Sequence, residues 1–218
     1  MPEPLTLIAV GTGILGLGSH LARRYFEMAK EVVDVILGFV ALVLSLPIWF
    51  ACAILIKLSS HGPVFLIQQR VGKDGKVFGL VKFRTMHVNA EAAGQAVWAS
   101  KGDPRIVPTC RWMRRSHMDE LPQLLNVIKG EMSLVGPRPE RPEILAELEK
   151  TYPDVRKRLA VRPGITGLAQ IRNGYDTTTD AFRLKLEADL DYIENRRWML
   201  EIRILASTIG KLNDKGAR

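Results

Sequence analysis

The chain has 218 residues, of which 47% are hydrophobic and 25% charged, with a formal net charge of +8. This length is enough for one domain with a hydrophobic core. Apolar residues are concentrated before residue 60, whereas residues 57–218 carry 28 basic and 19 acidic side chains. The basic part suits anionic lipid or a phosphate-rich substrate. Nucleic acid is disfavoured, because no zinc finger, RNA-binding signature or recognition helix is apparent. Two cysteines, Cys52 and Cys110, give neither a disulfide framework nor zinc-ligand spacing.

Residues 1–26 form an apolar N-terminal extension. Its glycine-rich stretch, residues 5–18, is followed by Arg23 and Arg24 and lacks the basic start of a secretory signal. The pattern predicts a helix, and it leaves open whether that helix spans a membrane or lies on its surface.

Residues 27–58 contain an uncharged run of 22 residues, 35–56, with Pro47 at its middle. The run is long enough to cross a hydrocarbon core of about 30 Å. Proline removes a backbone donor and clashes with the carbonyl four residues earlier, so we expect a break there, with Ser45 available to bond freed backbone groups. A straight span and a helix–break–helix that returns to the same face both fit. The basic remainder of the chain favours the second.

Residues 59–218 are expected to form a domain with short strands and amphipathic helices. Strands are predicted at 64–69 and 77–83, separated by a turn at 72–75, with another turn at Asp103-Pro104. A helix is predicted after Asp119, with Gly130 as its stop. Residues 179–212 are predicted to be helical, with two apolar stripes. The first, from Phe182 to Ile193, favours core packing, whereas the second, from Trp198 to Ile209, carries basic flanks typical of a membrane surface.

Asp119 and Glu120 are the candidate catalytic carboxylates. They fall at a predicted helix N-terminus, where the backbone dipole favours negative charge. Consecutive helical residues point about 100° apart, so the two carboxylates suit different tasks, one attacking and the other holding a metal. Arginines at 111, 114 and 115 lie just upstream, an arrangement suited to a phosphate. On spacing alone, simple helix capping remains an alternative.

Two arginine–proline turns follow. Gly136-Pro137-Arg138-Pro139 holds one arginine between two prolines, and rigidity of this kind helps aim a guanidinium at a phosphate. Arg162 precedes Pro163 and two nearby glycines whose amides are able to approach an anion. A purely structural turn remains the alternative for each.

Five motifs then occur in order: KFRTM at 82–86, DPR at 103–105, DELPQ at 119–123, KGEMSLVGPRP at 129–139 and VRPGITGLAQ at 161–170. Together they resemble the bacterial sugar transferase family, the monotopic polyprenyl-phosphate phosphoglycosyl transferases, from about residue 27 to the end. The resemblance implies an α+β, mostly helical fold. It also implies a re-entrant membrane helix broken at Pro47 and a small catalytic domain on the cytoplasmic face of the bacterial inner membrane.

The resemblance further implies two-step chemistry with Mg²⁺. Asp119 corresponds to a nucleophile that takes the sugar phosphate from a UDP-sugar, releases UMP and passes the group to undecaprenyl phosphate. Glu120 corresponds to the magnesium ligand. Phosphate-binding roles are implied for Lys82, Arg84, Arg114, Arg138 and Arg162. Such a reaction is the first membrane step of exopolysaccharide, O-antigen or glycoconjugate synthesis. Membrane lipid is an implied partner, and a homodimer is left open.

Some positions depart from the family pattern: the residues before Asp119 are His117 and Met118, Leu46 separates Ser45 from Pro47, and Glu201 stands where aspartate is more usual. Two other classes remain open, a non-catalytic membrane scaffold and a magnesium-dependent phosphohydrolase. Release of UMP that depends on polyprenyl phosphate would distinguish the transferase from both. The identity of the sugar does not follow from the sequence.

Overall fold

The computed structural model describes residues 4–88, 90, 103–173 and 179–211, and for residues 4–20, 173, 179–181 and 211 it describes the backbone alone. Helices dominate this part of the chain and short strands lie between them, which confirms the mostly helical fold class. In chain order the main elements are α1 (Pro4–Ser59), β1 (Phe65–Val71), β2 (Val77–Phe83), α2 (Arg111–Arg115), α3 (Leu124–Ile128), β3 (Ser133–Val135), α4 (Pro142–Thr151), β4 (Gly164–Thr166), α5 (Leu168–Asn173), α6 (Thr179–Asn195) and α7 (Trp198–Lys211). Short 3-10 helices occur at Lys73–Gly75, Pro108–Cys110, Met118–Gln123 and Pro153–Ala160.

Helix α1 contains both predicted membrane segments in one continuous element. Pro47 lies inside it, and the helix is not interrupted there, so the secondary structure lacks the break predicted at this proline. The carbonyl that loses its amide partner is that of Val43, four residues earlier. The Ser45 hydroxyl instead donates to the carbonyl of Leu42, at 2.9 Å. The Ser45 hydroxyl therefore bonds the carbonyl of Leu42 and not the carbonyl of Val43 that Pro47 leaves without a partner.

One face of α1 packs along the rest of the protein, which explains why the helix continues past Pro47. Its buried positions recur at helical spacing: Lys30, Asp34, Gly38, Ser45, Cys52 and Ile56. A Cβ atom on Gly38 would lie 3.1 Å from Cγ1 of Val127, so α1 and α3 approach closely there. Beyond the proline, Cys52 and Ile56 share a core cluster with Phe83. Each half of the helix is thus held on its own contacts.

The opposite face of α1 is apolar and exposed. Its large exposed side chains include Val32, Ile36, Phe39, Val40, Val43, Leu44, Leu46, Phe50, Ile54 and Leu58. By length and composition, Leu21–Ser59 qualifies as a helix that could cross a membrane. An apolar face of this extent on one side of a helix is typical of contact with lipid.

Strands β1 and β2 form the predicted antiparallel hairpin, with Phe65 paired to Phe83 and Val71 to Val77. The turn between them has Asp74 and Gly75 at φ of 56° and 78°. Glycine and aspartate tolerate this left-handed region, which is why the Lys-Asp-Gly sequence makes a tight turn here. Strands β3 and β4 form a separate parallel pair.

The C-terminal region forms two helices rather than the single predicted one, because helix α6 ends at Asn195 and α7 begins at Trp198. The stripe on α6 is core: Phe182, Leu186 and Ile193 are all buried. On α7, Trp198, Ile202 and Ile209 are exposed by 40%, 60% and 72%, as the membrane-surface prediction requires. Residue 212, the predicted helix end, lies outside the described residues.

Candidate active site

The site is built where β2 meets the 3-10 helix Met118–Gln123. Asn126, just after that helix, is fully buried. Both the oxygen and the nitrogen of its side-chain amide form hydrogen bonds with the backbone of β2. Its Oδ1 accepts from the amide of Val81 at 3.0 Å, and its Nδ2 donates to the carbonyl of Gly79 at 2.8 Å. The side chain thereby imitates a neighbouring strand. This clamp fixes the strand that carries Lys82 against the helix that carries Glu120.

Glu120 is the centre of a buried ion cluster. Its carboxylate accepts from Lys82 Nζ at 3.2 Å and from both terminal nitrogens of Arg138. Burial alone would raise the pKa of Glu120, but the charges of Arg138 and Lys82 outweigh it and hold the pKa well below its usual range. Glu120 is therefore ionised at neutral pH, and the structure brings together three of the predicted site residues.

Asp119 lies beside this cluster, 8% exposed, with no hydrogen bond to another side chain in the described part of the chain. Burial and the charge of Glu120 raise its pKa to about 6, even though Lys82, Arg114 and Arg138 pull it down. The basic neighbours favour ionisation as predicted, but burial and the charge of Glu120 outweigh them, so the net shift of the pKa is upward. The helix around it is a short 3-10 segment with little aligned dipole, and burial dominates.

Arg114 is the other basic group near Asp119. Its Nη1 lies 3.5 Å from the Thr85 hydroxyl, and its buried Nε has no hydrogen-bond partner in the part of the chain that the structure describes. A buried guanidinium with an unused donor is suited to binding an anion that arrives from outside. Between Arg114 and Asp119, His117 adopts a left-handed conformation, with φ of 56°, which turns the chain into the 3-10 helix.

Arg84, a predicted phosphate ligand, is used elsewhere. Its guanidinium is buried and donates to the Pro63 carbonyl at 2.6 Å, to the Ser60 hydroxyl at 2.7 Å and to the Ser60 carbonyl at 3.1 Å. These acceptors lie at and just beyond the C-terminus of α1, where helix carbonyls lack amide partners. In this structure Arg84 fastens the end of α1 to β2.

Arg162 also lies apart from the carboxylate pair. Its Nη2 is 3.0 Å from Glu31 of α1, so it joins the turn before β4 to the membrane helix. The glycines after it do not form an anion cradle. The amide of Gly164 donates to the Pro137 carbonyl at 3.0 Å. Cβ atoms on Gly164 and Gly167 would lie 2.0 and 2.2 Å from backbone atoms of Gly136. These glycines allow the two arginine–proline turns to pack backbone to backbone.

Three residues that sequence reasoning missed support the site: Asn126, Arg70 and Arg158. Arg70 Nη1 donates to the Pro139 carbonyl, and Arg158 Nη2 donates to the Arg138 carbonyl, each at 2.9 Å. No local pattern marks an arginine on a strand or an asparagine on a helix as a long-range partner. The one available signal was a polar residue, Asn126, directly after Leu125 of the predicted apolar face.

The donor set fits Mg²⁺ in kind and in number. Mg²⁺ takes one or two carboxylates and completes its shell with water and substrate phosphates. Glu120 supplies a deprotonated carboxylate. Among the described residues no cluster of three or more metal-ligating side chains occurs, so a metal held on Glu120 would complete its shell with water and substrate phosphates.

Comparison with known proteins agrees with this geometry. The sequence profile described as bacterial sugar transferase matches residues 25–215. The chain is 37% identical over 197 residues to a UDP-glucose:undecaprenyl-phosphate glucose-1-phosphate transferase of Caulobacter vibrioides, covering 89% of this chain and 73% of that one. It is 38% identical over 186 residues to the exopolysaccharide production protein PSS of Rhizobium leguminosarum, covering 83% and 92% of the two chains.

A UDP-N-acetylgalactosamine-undecaprenyl-phosphate N-acetylgalactosaminephosphotransferase of Aeromonas hydrophila is 41% identical over 193 residues, which cover 88% of this chain. The chain spans only 45% of the length of that relative. It spans 39% of a glucose-1-phosphate transferase of Xanthomonas campestris. These relatives are named for different sugars.

A long apolar helix is thus joined to a domain that holds a buried carboxylate pair among basic side chains. The chain belongs to the bacterial sugar transferase family.

Proposed function

We propose that this chain transfers a sugar 1-phosphate from a UDP-sugar to undecaprenyl phosphate, releasing UMP, through a covalent intermediate on Asp119. One observation carries the proposal: among the described residues Asp119 is a buried carboxylate without a hydrogen-bond partner, and it stands beside a cluster of cations held on Glu120. A carboxylate that no side chain bonds is free to attack, and surrounding cations bind the phosphate it attacks. The names of the relatives supply the substrates.

In the first step an oxygen of Asp119 attacks the phosphorus that carries the sugar. A bond forms between that oxygen and phosphorus, and the bond from phosphorus to the bridging oxygen of the diphosphate breaks. UMP leaves with the bridging oxygen and its electron pair. Arg114 and Arg138 lie close enough to Asp119 to influence its charge and are placed to stabilise the negative charge on the phosphoryl oxygens.

Lys82 and Arg138 both bind Glu120 and are partly exposed, so they are able to bind phosphate without leaving the site. Glu120 would hold Mg²⁺, which when bound supplies neutralisation of diphosphate charge. Glu120 also keeps Lys82 charged: burial lowers the pKa of Lys82, and the Glu120 carboxylate opposes that effect.

In the second step a phosphate oxygen of undecaprenyl phosphate attacks the same phosphorus and displaces the Asp119 carboxylate. The product is undecaprenyl diphosphate sugar, and Asp119 returns to its starting state. Splitting one displacement into two lets a soluble donor and a lipid acceptor use the same group in turn.

The contacts of α1 support a path that enters and leaves the membrane on the face of the catalytic domain. At one end of the apolar run, Lys30 Nζ lies 2.7 Å from Glu201 of α7. At the other end, Arg84 binds Ser60 directly after the helix. A straight crossing would place the two ends on opposite faces of the bilayer. Docking of both ends on one domain favours a monotopic arrangement, with the cytoplasmic face inferred from the cytoplasmic origin of UDP-sugars.

The test is release of UMP by the purified chain from a panel of UDP-sugars, with and without undecaprenyl phosphate. Release that needs the lipid supports the transferase, and a labelled phosphosugar trapped on the protein should map to Asp119 by mass spectrometry. Release of UMP and free sugar phosphate without the lipid would indicate a hydrolase. An absence of release from every donor would indicate a scaffold. The panel also identifies the sugar, and the homodimer stays a prediction.

A further inference from the structure

The turn that carries Arg138 is fixed through its carbonyl groups. Prolines at 137 and 139 leave the turn without an amide hydrogen at either position. All four consecutive carbonyls nevertheless accept a hydrogen bond from a different residue. The donors are the amide of Gly164 to Pro137 (3.0 Å), Arg158 Nη2 to Arg138 (2.9 Å), Arg70 Nη1 to Pro139 (2.9 Å) and the amide of Val71 to Glu140 (2.9 Å).

Two of these donors are buried arginines that are themselves held in place. Arg158 is 4% exposed, and its Nε donates to Asp189 of α6 at 2.7 Å, where Asp189 is 1% exposed. Arg70 Nη2 donates to the side chain of Gln68 at 2.5 Å. Each guanidinium therefore joins the turn to another element, Arg158 to α6 and Arg70 to β1.

Glu140 connects the two arginines. Its carboxylate accepts from Lys185 at 2.5 Å and lies 3.9 Å from Arg158 and 4.0 Å from Arg70. Burial alone would raise the pKa of Glu140, but the charges of Lys185 and Arg158 lower it to about 2. Glu140 is therefore ionised throughout the physiological range. We call Arg70, Glu140, Arg158, Lys185 and Asp189 the support cluster.

The side chain of Arg138 needs such support. It is 24% exposed and reaches Glu120 from the end of a flexible stem. Displacement of a catalytic group by about 1 Å costs on the order of a hundredfold in rate, so its backbone must be held as firmly as its tip. Buried ionic clusters are expensive to desolvate, and this one surrounds a turn whose backbone is buried on both sides of Arg138.

We propose that Arg158 and Arg70 are positioning residues for the transfer reaction, which hold the backbone of the Arg138 turn so that the Arg138 guanidinium stays on Glu120 and on the substrate phosphate. The inference rests on the proposed function for its substrate. Arg158 acts through Arg138, since its Nε and Nη2 are both bonded within the protein.

A lysine at position 158 separates charge from geometry. Arg158 binds Asp189 through Nε and the Arg138 carbonyl through Nη2, which a planar fork does at fixed spacing. A single ammonium keeps the charge near Asp189 but does not reach both acceptors. Asp189→Asn is the second variant, because it keeps the shape of the partner and removes the charge that orients the arginine. Arg156→Lys is the matched control, since Arg156 lies on the same 3-10 helix and pairs with Glu149 at the surface.

The experiment measures UMP release, thermal unfolding and UDP affinity by calorimetry for the full chain in detergent. We expect Arg158→Lys to lower kcat by roughly tenfold to a hundredfold, as loss of a supporting contact does. Asp189→Asn should lower it less, and Arg156→Lys should match wild type. Melting temperatures should stay within a few degrees. A variant Arg158→Lys that turns over like Arg156→Lys, or loses activity only in proportion to its stability, would overturn the proposal.

A double-mutant cycle with Arg138→Met tests the route of action. In that background Arg158→Lys should change neither residual UMP release nor UDP affinity, because the guanidinium that it positions is gone. Equal losses in both backgrounds would assign Arg158 a purely structural role and contradict the proposal. A wild type that binds UDP but releases no UMP would contradict the proposed function alone. The double-mutant cycle, measured by UDP affinity, would then still test whether Arg158 positions Arg138. A wild type that does neither would remove both.

Discussion

Asp119 is a buried carboxylate and the proposed nucleophile. Its protonation state therefore decides at which pH it is able to react. Its pKa is raised to about 6 by burial and by Glu120, so near pH 5 most of it is protonated and unable to attack. We expect kcat/KM for UMP release to rise with pH through about 6 and to level off above about 7. A steady-state pH profile measures this directly.

The control for this profile is His117→Asn, because histidine also titrates in this range and asparagine tolerates the left-handed conformation at that position. The acidic limb should persist in that variant. A limb that disappears with His117, or a flat profile between pH 5 and 8, would contradict the assignment to Asp119.

Replacement of the nucleophile should remove activity without harming the fold. We expect Asp119→Asn to lower UMP release by roughly a thousandfold or more. The folded state holds the Asp119 proton more tightly than the unfolded state. The free energy of unfolding of the protein therefore falls as pH rises from about 4 through about 6. At pH 7.5 the neutral amide removes a cost of at most about 3 kcal/mol. The melting temperature should therefore equal or exceed that of wild type at pH 7.5, with the gain vanishing near pH 4.

Glu120 carries a second prediction, on magnesium. Glu120→Gln should lose UMP release and its magnesium dependence together, because an amide offers the cation no charge. It also leaves Lys82 and Arg138 buried without their anion, so a loss of stability of about 3 kcal/mol or more is expected. Magnesium titrations and thermal unfolding separate the two effects. Glu143→Gln, a surface change, is the control. A variant that keeps wild-type magnesium affinity would show that Glu120 is not a ligand.

The positions of site residues within distinctive motifs were predictable from the sequence. The partners of long arginine side chains were not. Asp119, Glu120, Lys82 and Arg138 come together as the motifs suggested. Arg84 and Arg162 stand in equally basic motifs, yet their guanidiniums bind Ser60 and Glu31. A long flexible side chain reaches several targets, and which one it meets depends on the tertiary fold.

At the scale of elements, hairpins and turns followed from the sequence because they depend on near neighbours. The β1–β2 hairpin and its Lys-Asp-Gly turn are examples. The helix after Asp119 followed in part. It ends before Gly130, which has φ of 75°, as predicted, but it begins as a 3-10 segment and buries Leu124, Asn126 and Val127 instead of the whole predicted stripe from Leu121 to Ile128. Continuity of α1 through Pro47 also depends on tertiary packing, which no local pattern encodes.

Asn126 offers a test at this scale. Asn126→Ala removes two hydrogen bonds to the backbone of β2 and leaves a buried amide and carbonyl of that strand unsatisfied. A loss of stability of about 2–4 kcal/mol is expected, since each orphaned group costs about 1–3 kcal/mol. Denaturant or thermal unfolding measures it. The surface asparagine Asn195, bonded to Asp191, provides the control Asn195→Ala, which should change stability by less than about 1 kcal/mol. Equal effects of the two would contradict the clamp.

At the scale of the whole molecule, helices α1 and α7 are joined by side-chain contacts. Each of them also carries an exposed apolar surface. Phe26 and Trp198 meet edge to face at 5.2 Å, and Lys30 pairs with Glu201 beside them. The Tyr192 hydroxyl lies 2.7 Å from the other oxygen of Glu201 and 3.0 Å from the Val135 carbonyl, and its one hydrogen is shared between these two acceptors. The membrane-facing helix is thus bonded to the strand that leads into the Arg138 turn. Under the proposed function, docking of this kind would place the active site at the membrane surface, where the lipid acceptor would arrive.

The last prediction is that both ends of the apolar run lie on the catalytic face of the membrane. Probes belong at exposed positions, and Lys30 is unsuitable because it is buried against Glu201. We therefore choose cysteines at Arg24 and Leu58, with Cys52 and Cys110 replaced by alanine. A cysteine at Lys157, whose side chain is 63% exposed on the catalytic domain, marks the domain's own side. With an impermeant thiol reagent, all three should stay unlabelled in intact cells and react together after the membrane is opened. Labelling of Arg24→Cys but not of Leu58→Cys in intact cells would demonstrate a straight crossing and refute the monotopic path.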